Sequence, residues 1–374
     1  MKCRVARDVF LKGLQRIQGV VDKKSTMPIL SNILLEAQED GIRMVATDLE
    51  MGIRGVYPAE IQEPGSVTLS AKKTYEIVRE LTGEEVLLEA DSQGHVTLRC
   101  ERSEFRLLGT GKEDFPSLPD PEEMGSVELP PGDLKDMIRK TLFCVGESDT
   151  RYVLNGVYLR VGRGAEGAVT VWMVGTDGHR LAEVNRSVAQ SASQAPQTTE
   201  VIVPRKAILE LRRLLEDGEG TVRVGLAKNH VTFSMDHWVL ISRLIEGNYP
   251  NYQQVIPSKR EIEISQNRAL LMGALRRVAI VAREKTGAVK LTLTPGSLLL
   301  HAENPDLGEA REELALPYEG KEVTIGFNAR YLLEALAAMD QEEVTLGLQD
   351  PLSPCLITPQ GDPGYRCVVM PMRI

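Results

Sequence analysis

Three tandem α+β domains, each with two helices laid on antiparallel sheets, are the fold this sequence predicts. Three observations carry that expectation. A short strand, a breaker and an amphipathic helix recur three times in 374 residues, and a second amphipathic helix precedes each recurrence. The stretches between them alternate apolar with polar residues and are cut by Gly, Asn and Asp turns.

The first domain opens with residues 8–20 (DVFLKGLQRIQGV), whose apolar positions recur at helical spacing. Val67-Thr-Leu69 runs as a strand into Ser70, a helix-starting residue, and Tyr75, Val78 and Leu81 share one face of the helix that follows. After the turn Asp91-Ser-Gln-Gly94, Val96-Thr-Leu-Arg-Cys100 alternates as a half-buried strand. Pro116 to Gly125, rich in Pro and acid, reads as a linker. The second domain repeats this order with a helix over 133–145 (DLKDMIRKTLFCV), strand, breaker and helix over 201–215 (VIVPRKAILELRRLL) and the strand Val222-Arg-Val-Gly-Leu226. Tyr249 to Pro257 is its linker. The third has a helix over 269–281 (ALLMGALRRVAIV), the strand Leu291-Thr-Leu-Thr294 and the 323–337 unit (VTIGFNARYLLEALA). Domains are accordingly placed at 1–124, 125–257 and 258–374. Phe115-Pro116, Tyr249-Pro250 and Met370-Pro371 read as one position, aromatic or Met followed by Pro, repeated three times.

Composition supports several small cores. Hydrophobic residues make up 42% but aromatics only 5%, so Leu, Ile, Val and Met must supply the packing. The longest apolar runs fall far short of a membrane span, and Met1-Lys-Cys-Arg-Val5 lacks the apolar core of a signal peptide. A cytoplasmic protein without a membrane partner is expected. Cys3, Cys100, Cys144, Cys355 and Cys367 show no CxxC spacing, so neither a zinc site nor a disulfide framework is indicated, and buried free thiols are expected.

A formal charge of -9 excludes a protein that coats nucleic acid with its whole surface. Positive charge is nevertheless concentrated on the helices. Lys and Arg exceed Asp and Glu by 2 over residues 7–18, by 1 over 71–81, by 1 over 133–143, by 2 over 204–216 and by 3 over 268–284, while 327–340 carries -1. The six stretches together hold +8, which leaves -17 on the rest of the chain. Solvation explains any single basic helix. Five of six in an acidic chain point to one basic surface that grips phosphates without reading sequence. Lys24, Lys72, Lys73, Arg205 and Lys206 lie near helix N-termini, where backbone NH groups also favour anions.

Several segments carry a family likeness: Thr26-Met-Pro-Ile-Leu-Ser-Asn32, Ala46-Thr-Asp-Leu-Glu-Met51, Arg151-Tyr-Val-Leu-Asn-Gly156, Thr176-Asp-Gly-His-Arg-Leu-Ala182, Val203-Pro-Arg-Lys206, Tyr249-Pro-Asn-Tyr252, Ile325-Gly-Phe-Asn328 and Val368-Val-Met-Pro-Met-Arg-Ile374. In this order and spacing the chain resembles, from end to end, the bacterial β sliding clamps, the processivity subunit of DNA polymerase III. The resemblance implies a head-to-tail homodimer whose six domains close a ring around duplex DNA, with helices lining the hole. It also implies no catalytic residue, metal or cofactor. Tethering of the replicative polymerase, and docking of the clamp loader, other polymerases and repair proteins through short hydrophobic motifs, follow from the likeness, as does nucleoid association during replication. Packing arithmetic agrees. Twelve helices about 9 Å apart place their axes on a circle roughly 34 Å across, which leaves a hole of about 24 Å for a duplex of roughly 20 Å. Six helices would leave almost none.

The resemblance carries DNA contact to Lys24, Lys72, Arg151, Tyr152, Arg205 and Lys206, with Lys73 beside them; Ser148 stands where some relatives have a longer polar side chain. It carries a partner-peptide cleft to Leu154, Thr176, Gly178, His179, Arg180, Leu181, Pro250, Val255, Asn328, Tyr331, Pro354, Val368, Met370, Pro371 and Met372, with Arg373 alongside and Gln254 where some relatives have Arg. Phe105 and Leu107 would meet Ile280 and Val281 at the subunit contact; intradomain core is the other reading. Val368 to Ile374 also reads as an ordinary terminal strand, and Thr176 to Arg180 as a tight Asp-Gly turn. Two other functions remain open on the residues: a hydrolase or nucleotidyl enzyme using Asp177 and His179, and a protein-binding repeat scaffold that does not bind DNA.

Overall fold

The computed structural model describes residues 1–21, 27–163, 168–188, 198–216, 220–283 and 286–373; Lys24 lies outside them. Among these are six α-helices: α1 (Arg7–Ile17), α2 (Ala71–Glu80), α3 (Pro131–Thr141), α4 (Arg205–Leu214), α5 (Arg268–Ala279) and α6 (Ala329–Ala337). They are the six that periodicity predicts. Asn267 and Asn328 cap α5 and α6, accepting hydrogen bonds from the Ala269 and Leu270 amides and from the Arg330 amide.

The chain forms two compact units, one of Met1–Gly132 with Lys206–Leu244, the other of Asp133–Ala189 with Thr198–Arg205 and Ile245–Ile374. In the first, a five-stranded sheet runs in the order Glu60–Glu63, Lys2–Ala6, Glu85–Ala90, His95–Cys100, Ser103–Leu108. An eight-stranded sheet runs Gly125–Leu129, Val222–Leu226, His230–Met235, Trp238–Arg243, Met51–Tyr57, Gly41–Thr47, Asn32–Gln38, Gly65–Ser70. The second unit has its own eight-stranded sheet, in the order Thr199–Pro204, Gly156–Arg163, Val169–Thr176, Arg180–Val188, Tyr365–Val369, Cys355–Pro359, Glu343–Leu348, Ile262–Asn267. Its four-stranded sheet runs Gly308–Ala315, Ser297–Asn304, Ala288–Thr294, Val323–Asn328. Every pairing is antiparallel, and α1 packs beside α2 as α5 packs beside α6.

A single rule generates these sheets. Each repeat contributes two sets of four strands, five in one set of the first repeat, and the outer strand of one set pairs with the outer strand of the next repeat's other set. Met51–Tyr57 joins Trp238–Arg243, with Gly52 opposite Ile241, and Arg180–Val188 joins Tyr365–Val369, with Leu181 opposite Val368. Each eight-stranded sheet therefore bridges two repeats, which is why the compact units cut across the sequence repeat.

Four expectations need correction. The third helix was expected to reach residue 145 but ends at Thr141, followed by a 3-10 turn over Leu142–Cys144. Arg205 donates to the Leu142 carbonyl at 2.9 Å and the Val145 carbonyl at 3.4 Å, satisfying carbonyls past the helix end. The segments read as linkers are anchored in part: Leu118 packs on the cluster of Leu34, Val45 and Phe115, and Tyr252 is buried with Tyr158 and Leu356. Met370-Pro371 is not a third copy of Phe115-Pro116 and Tyr249-Pro250, because it follows its strand at once whereas Tyr249 lies beyond the strand that ends at Arg243. Finally, the helix charge count overstates the exposed positive charge. Arg16 is buried against His237, Lys140 is buried, and Arg213 is held by Glu210 and the Gln15 carbonyl.

The Lys140 ammonium lies 3.0 Å from Asp136 and 2.8 Å from Asp362, with Arg186 against both carboxylates. Burial alone would raise these carboxyl pKa values, but hydrogen bonds from Lys140, with Arg139 on Asp136 and Arg186 on Asp362, more than offset it and hold both below the ordinary range. Depressed carboxylates contribute stability that is present above their unfolded pKa and lost as pH falls through the folded one. Lys140→Met is accordingly expected to lower the unfolding midpoint at pH 7 by the equivalent of roughly 3 kcal/mol. The gap to the parent should narrow as pH drops below about 4. Thermal melts across pH check this, and a gap that is constant with pH would contradict it.

Candidate functional site

In the second unit the turn after Val169–Thr176 is fixed by its own side chains. Thr176 donates from Oγ1 to the Arg180 carbonyl at 2.7 Å and accepts from the Gly178 amide at 3.1 Å. Asp177 Oδ1 accepts from the amides of His179 at 2.9 Å and Arg180 at 3.1 Å, while Oδ2 takes Arg180 Nε at 3.0 Å. Gly178 sits at φ +82°, where a side chain would be strained and would strike the Arg151 guanidinium. The Asp177 carboxylate is thus engaged by two amides and a guanidinium, and the geometry is that of a structural turn. No group of three or more metal-binding side chains occurs among the described residues.

Arg180 organises the next layer. It is buried, ion-paired with Glu334 as well as Asp177, and its guanidinium lies over the Tyr331 ring at 4.5 Å and the Phe143 ring at 5.5 Å. His179 stacks on the other part of this array, 6.3 Å from Tyr331. A cavity of about 510 Å³ opens here, lined by Phe143, Glu147, Asp149, His179, Arg205 and Arg330 among others.

The chain end crosses the same turn. Met370 N donates to the His179 carbonyl at 2.9 Å and Met372 N to the Gly326 carbonyl at 2.8 Å, leaving Met370, Pro371 and Met372 half-buried and Arg373 exposed. Beside them Leu181, Val368 and Leu356 form an apolar floor with Tyr158, Val174, Ile202 and Tyr252, and Val153, Tyr249 and Ile256 pack onto it. Tyr158 and Tyr249 are stacked at 4.9 Å, and burial followed by the Glu183 carboxylate pushes the Tyr252 hydroxyl up to about 12. Val255 is 41% exposed, Pro250 and Gln254 are exposed, and Pro354, two residues before Leu356, is half-buried. Leu154 is buried and Asn328 caps α6. A buried apolar cluster thus lies beside two half-buried methionines, side chains whose flexible thioethers adapt to varied apolar neighbours.

Of the basic residues, Lys72 and Lys73 are exposed and pair with Glu76. Tyr152 is 59% exposed. Arg151 is exposed but grips Asp149, holding that carboxyl down to about 2, and reaches the Asp177 carbonyl at 3.1 Å. Lys206 pairs with Asp48. Arg205 is the least available, clamped by Glu147 and the two carbonyls past α3. Ser148 turns its hydroxyl to the Glu147 carbonyl.

At the sheet edges, Ser103–Leu108 and Gly308–Ala315 are mostly exposed, with Phe105 37% and Leu108 84% exposed and Leu107 half-buried. Ile280, just past α5, is 76% exposed and Val281 is half-buried.

Three family models match consecutively: the N-terminal domain of the DNA polymerase III beta subunit over residues 1–119, its central domain over 128–251 and its C-terminal domain over 253–373. The chain belongs to this family. Beta sliding clamps from Pseudomonas putida, Caulobacter vibrioides and Escherichia coli are 36%, 37% and 34% identical to it, each aligned over all of both chains. Solved structures agree: the DNA polymerase III subunit beta of Pseudomonas aeruginosa superposes with a TM-score of 0.93 at 34% identity, and the polymerase III beta of Caulobacter crescentus with 0.94 at 36%, both over the full length of both chains. Three tandem clamp domains are therefore the architecture, and the chain is a non-catalytic DNA sliding clamp rather than a hydrolase.

Sequence reasoning missed the aromatic wall of the basin, Tyr158, Tyr249 and Tyr252, and the Phe143 and Glu334 contacts that hold Arg180. Two tyrosines three residues apart around Pro250 were a signal for the wall. Phe143 and Glu334 are far apart in sequence and only folding reveals them.

Proposed function

We propose that two copies of this chain close into a ring around duplex DNA by extending the rule that builds its sheets. Within one chain both repeat-to-repeat joins pair the third strands of two three-strand meanders, and among the described residues the third strands that lack such a partner are Ser103–Leu108 of the first repeat and Gly308–Ala315 of the third. That observation carries the reading. Long exposed edges bearing apolar side chains are strong association sites, and pairing first repeat to third is head-to-tail by construction. Phe105 and Leu107 then meet Ile280 and Val281 across the join. The sequence repeats at 1–124, 125–257 and 258–374 act as the six ring segments.

Inside the ring, Lys24, Lys72, Lys73, Arg151, Tyr152, Arg205 and Lys206 meet phosphates without reading bases. The contacts are weak and screened, so the ring slides, and its retention comes from closure rather than affinity. The methionine-rimmed basin takes short apolar motifs of the replicative polymerase, the clamp loader, other polymerases and repair proteins, and tethering raises the polymerase's effective concentration on template. The site of action is the cytoplasm, at the nucleoid. No helix is long and apolar enough to cross a membrane among the described residues.

Loading the protein onto circular plasmid with a clamp loader and then linearising the DNA tests closure. Retention on circles with loss from linear ends is expected; equal retention on both would overturn the ring. A second expectation concerns salt. Lys72→Ala and Lys206→Ala should each reduce the slope of log affinity for short linear duplex against log salt by just under about 1, while half-lives on closed circles barely change. Fluorescence anisotropy and gel filtration measure the two quantities.

A further inference from the structure

The join between the first and second repeats reproduces the side-chain-to-backbone bonds of the turn at the methionine-rimmed basin. Thr47 Oγ1 donates to the Met51 carbonyl at 2.9 Å and accepts from the Leu49 amide at 3.0 Å; Asp48 Oδ1 accepts from the Glu50 and Met51 amides at 2.9 and 2.7 Å. The Arg243 amide donates to the Glu50 carbonyl at 2.9 Å, as Met370 does to His179. Through the strand registers, Ile241 takes the place of Val368 and His230 that of Pro354, while Pro116 matches Pro250 by its aromatic-Pro sequence. These residues enclose a cavity of about 520 Å³, with Leu118 lying over Gly52 where the other basin has Leu181.

Two features separate this cleft from an inert copy. Leu49 occupies the left-handed position, φ +77°, that Gly178 fills at the other turn, and it is 46% exposed at the cleft mouth. A Leu there costs about 1–2 kcal/mol of backbone strain, with an apolar side chain turned to solvent. The exposed Arg243, which also lines the cavity, has no ion pair among the described residues, and burial together with Arg243 lowers the His230 pKa. Glu50 lines the cavity as well, its carbonyl bonded to the Arg243 amide.

We infer that this first cleft is a second docking site, and that its occupant is a short extended partner segment bearing a carboxylate beside apolar side chains. The apolar residues seat on Leu49, Leu118 and Ile241, and the carboxylate meets Arg243. An acidic segment supplies the charge that Arg243 lacks, whereas the methionine rim of the other basin offers no cation in that place. The inference rests on the reading of the second basin as a peptide cleft for its geometric precedent.

The test is selection of peptides from a random twelve-residue display library on the full-length chain, followed by anisotropy of the labelled winners. One class is expected to be acidic and apolar, to lose at least tenfold in affinity on Arg243→Glu, to lose affinity on Leu49→Gly, and to be indifferent to Met370→Glu. Both changed residues at the first cleft are exposed, so melting curves should match the parent or, for Leu49→Gly, hold against it. Winners that all respond to Met370→Glu and none to Arg243→Glu would overturn the second site while sparing the first reading. Winners that ignore Met370→Glu but respond to Arg243→Glu would overturn only the reading of the methionine-rimmed basin. A selection that yields no binder counts against both.

Discussion

Ile280→Asp is expected to convert the protein to monomers and to abolish its retention on circular DNA. Ile280 follows α5 and is 76% exposed in the single chain, so it contributes little to the fold, and burying it at a join would be worth about 1.5–3 kcal/mol. An aspartate in the same place forfeits that gain and adds a carboxylate that must be desolvated without a partner, several kcal/mol more. A head-to-tail ring of two has two identical joins, so each loss enters twice. Even at the low end the sum exceeds 4 kcal/mol, a rise in dissociation constant of more than about 10³-fold. Sedimentation velocity across a concentration series measures this. Leu352→Asp is the control: Leu352 is 72% exposed but lies in the turn between Glu343–Leu348 and Cys355–Pro359, in neither of the strands proposed to join, and its variant should sediment as the parent does. A dimer undiminished by Ile280→Asp would remove this residue from the join.

Much of this molecule is legible in its sequence because the repeat is written in local terms. Helical periodicity and breakers such as Ser70 and Asn328 need only a few neighbours to act, and all six helices form in the stretches they indicate, the third stopping four residues short. What the sequence hides is long-range. Gly52 reads as an ordinary strand glycine until Leu118 is seen lying over it. Arg16, Lys140 and Arg213 count as surface charge on a helical wheel, yet the chain buries the first two and clamps the third. Tyr249 to Pro257 looks like a linker because Pro and polar residues outnumber apolar ones, although the two tyrosines supply a wall of the basin. Strand joins are the extreme case. Which outer strand pairs with which depends on whole repeats, and no window of sequence contains both partners.

Removing residues 370–374 is expected to produce the opposite failure from Ile280→Asp: rings that load and slide but no longer hold a polymerase. The floor of the basin survives, since Leu181, Val368 and Leu356 precede the cut and are buried in their own strands. Lost are the two backbone bonds, from Met370 to His179 and from Met372 to Gly326, and with them both methionine side chains of the rim. Each flexible thioether can contribute about 1–1.5 kcal/mol to an apolar partner segment, so binding should weaken by about 10²-fold. Processivity depends on tethering at high effective concentration. A 10²-fold loss at the tether should therefore bring primer extension down to the length made by polymerase alone, even on saturating DNA-loaded ring. Peptide anisotropy, sedimentation and primer extension on one preparation separate the steps. Unchanged peptide binding by the shortened chain would move the docking site elsewhere. Monomers in sedimentation would show that the tail also supports the subunit join, which places Gly326 and its sheet, rather than the methionines, at the centre of the effect.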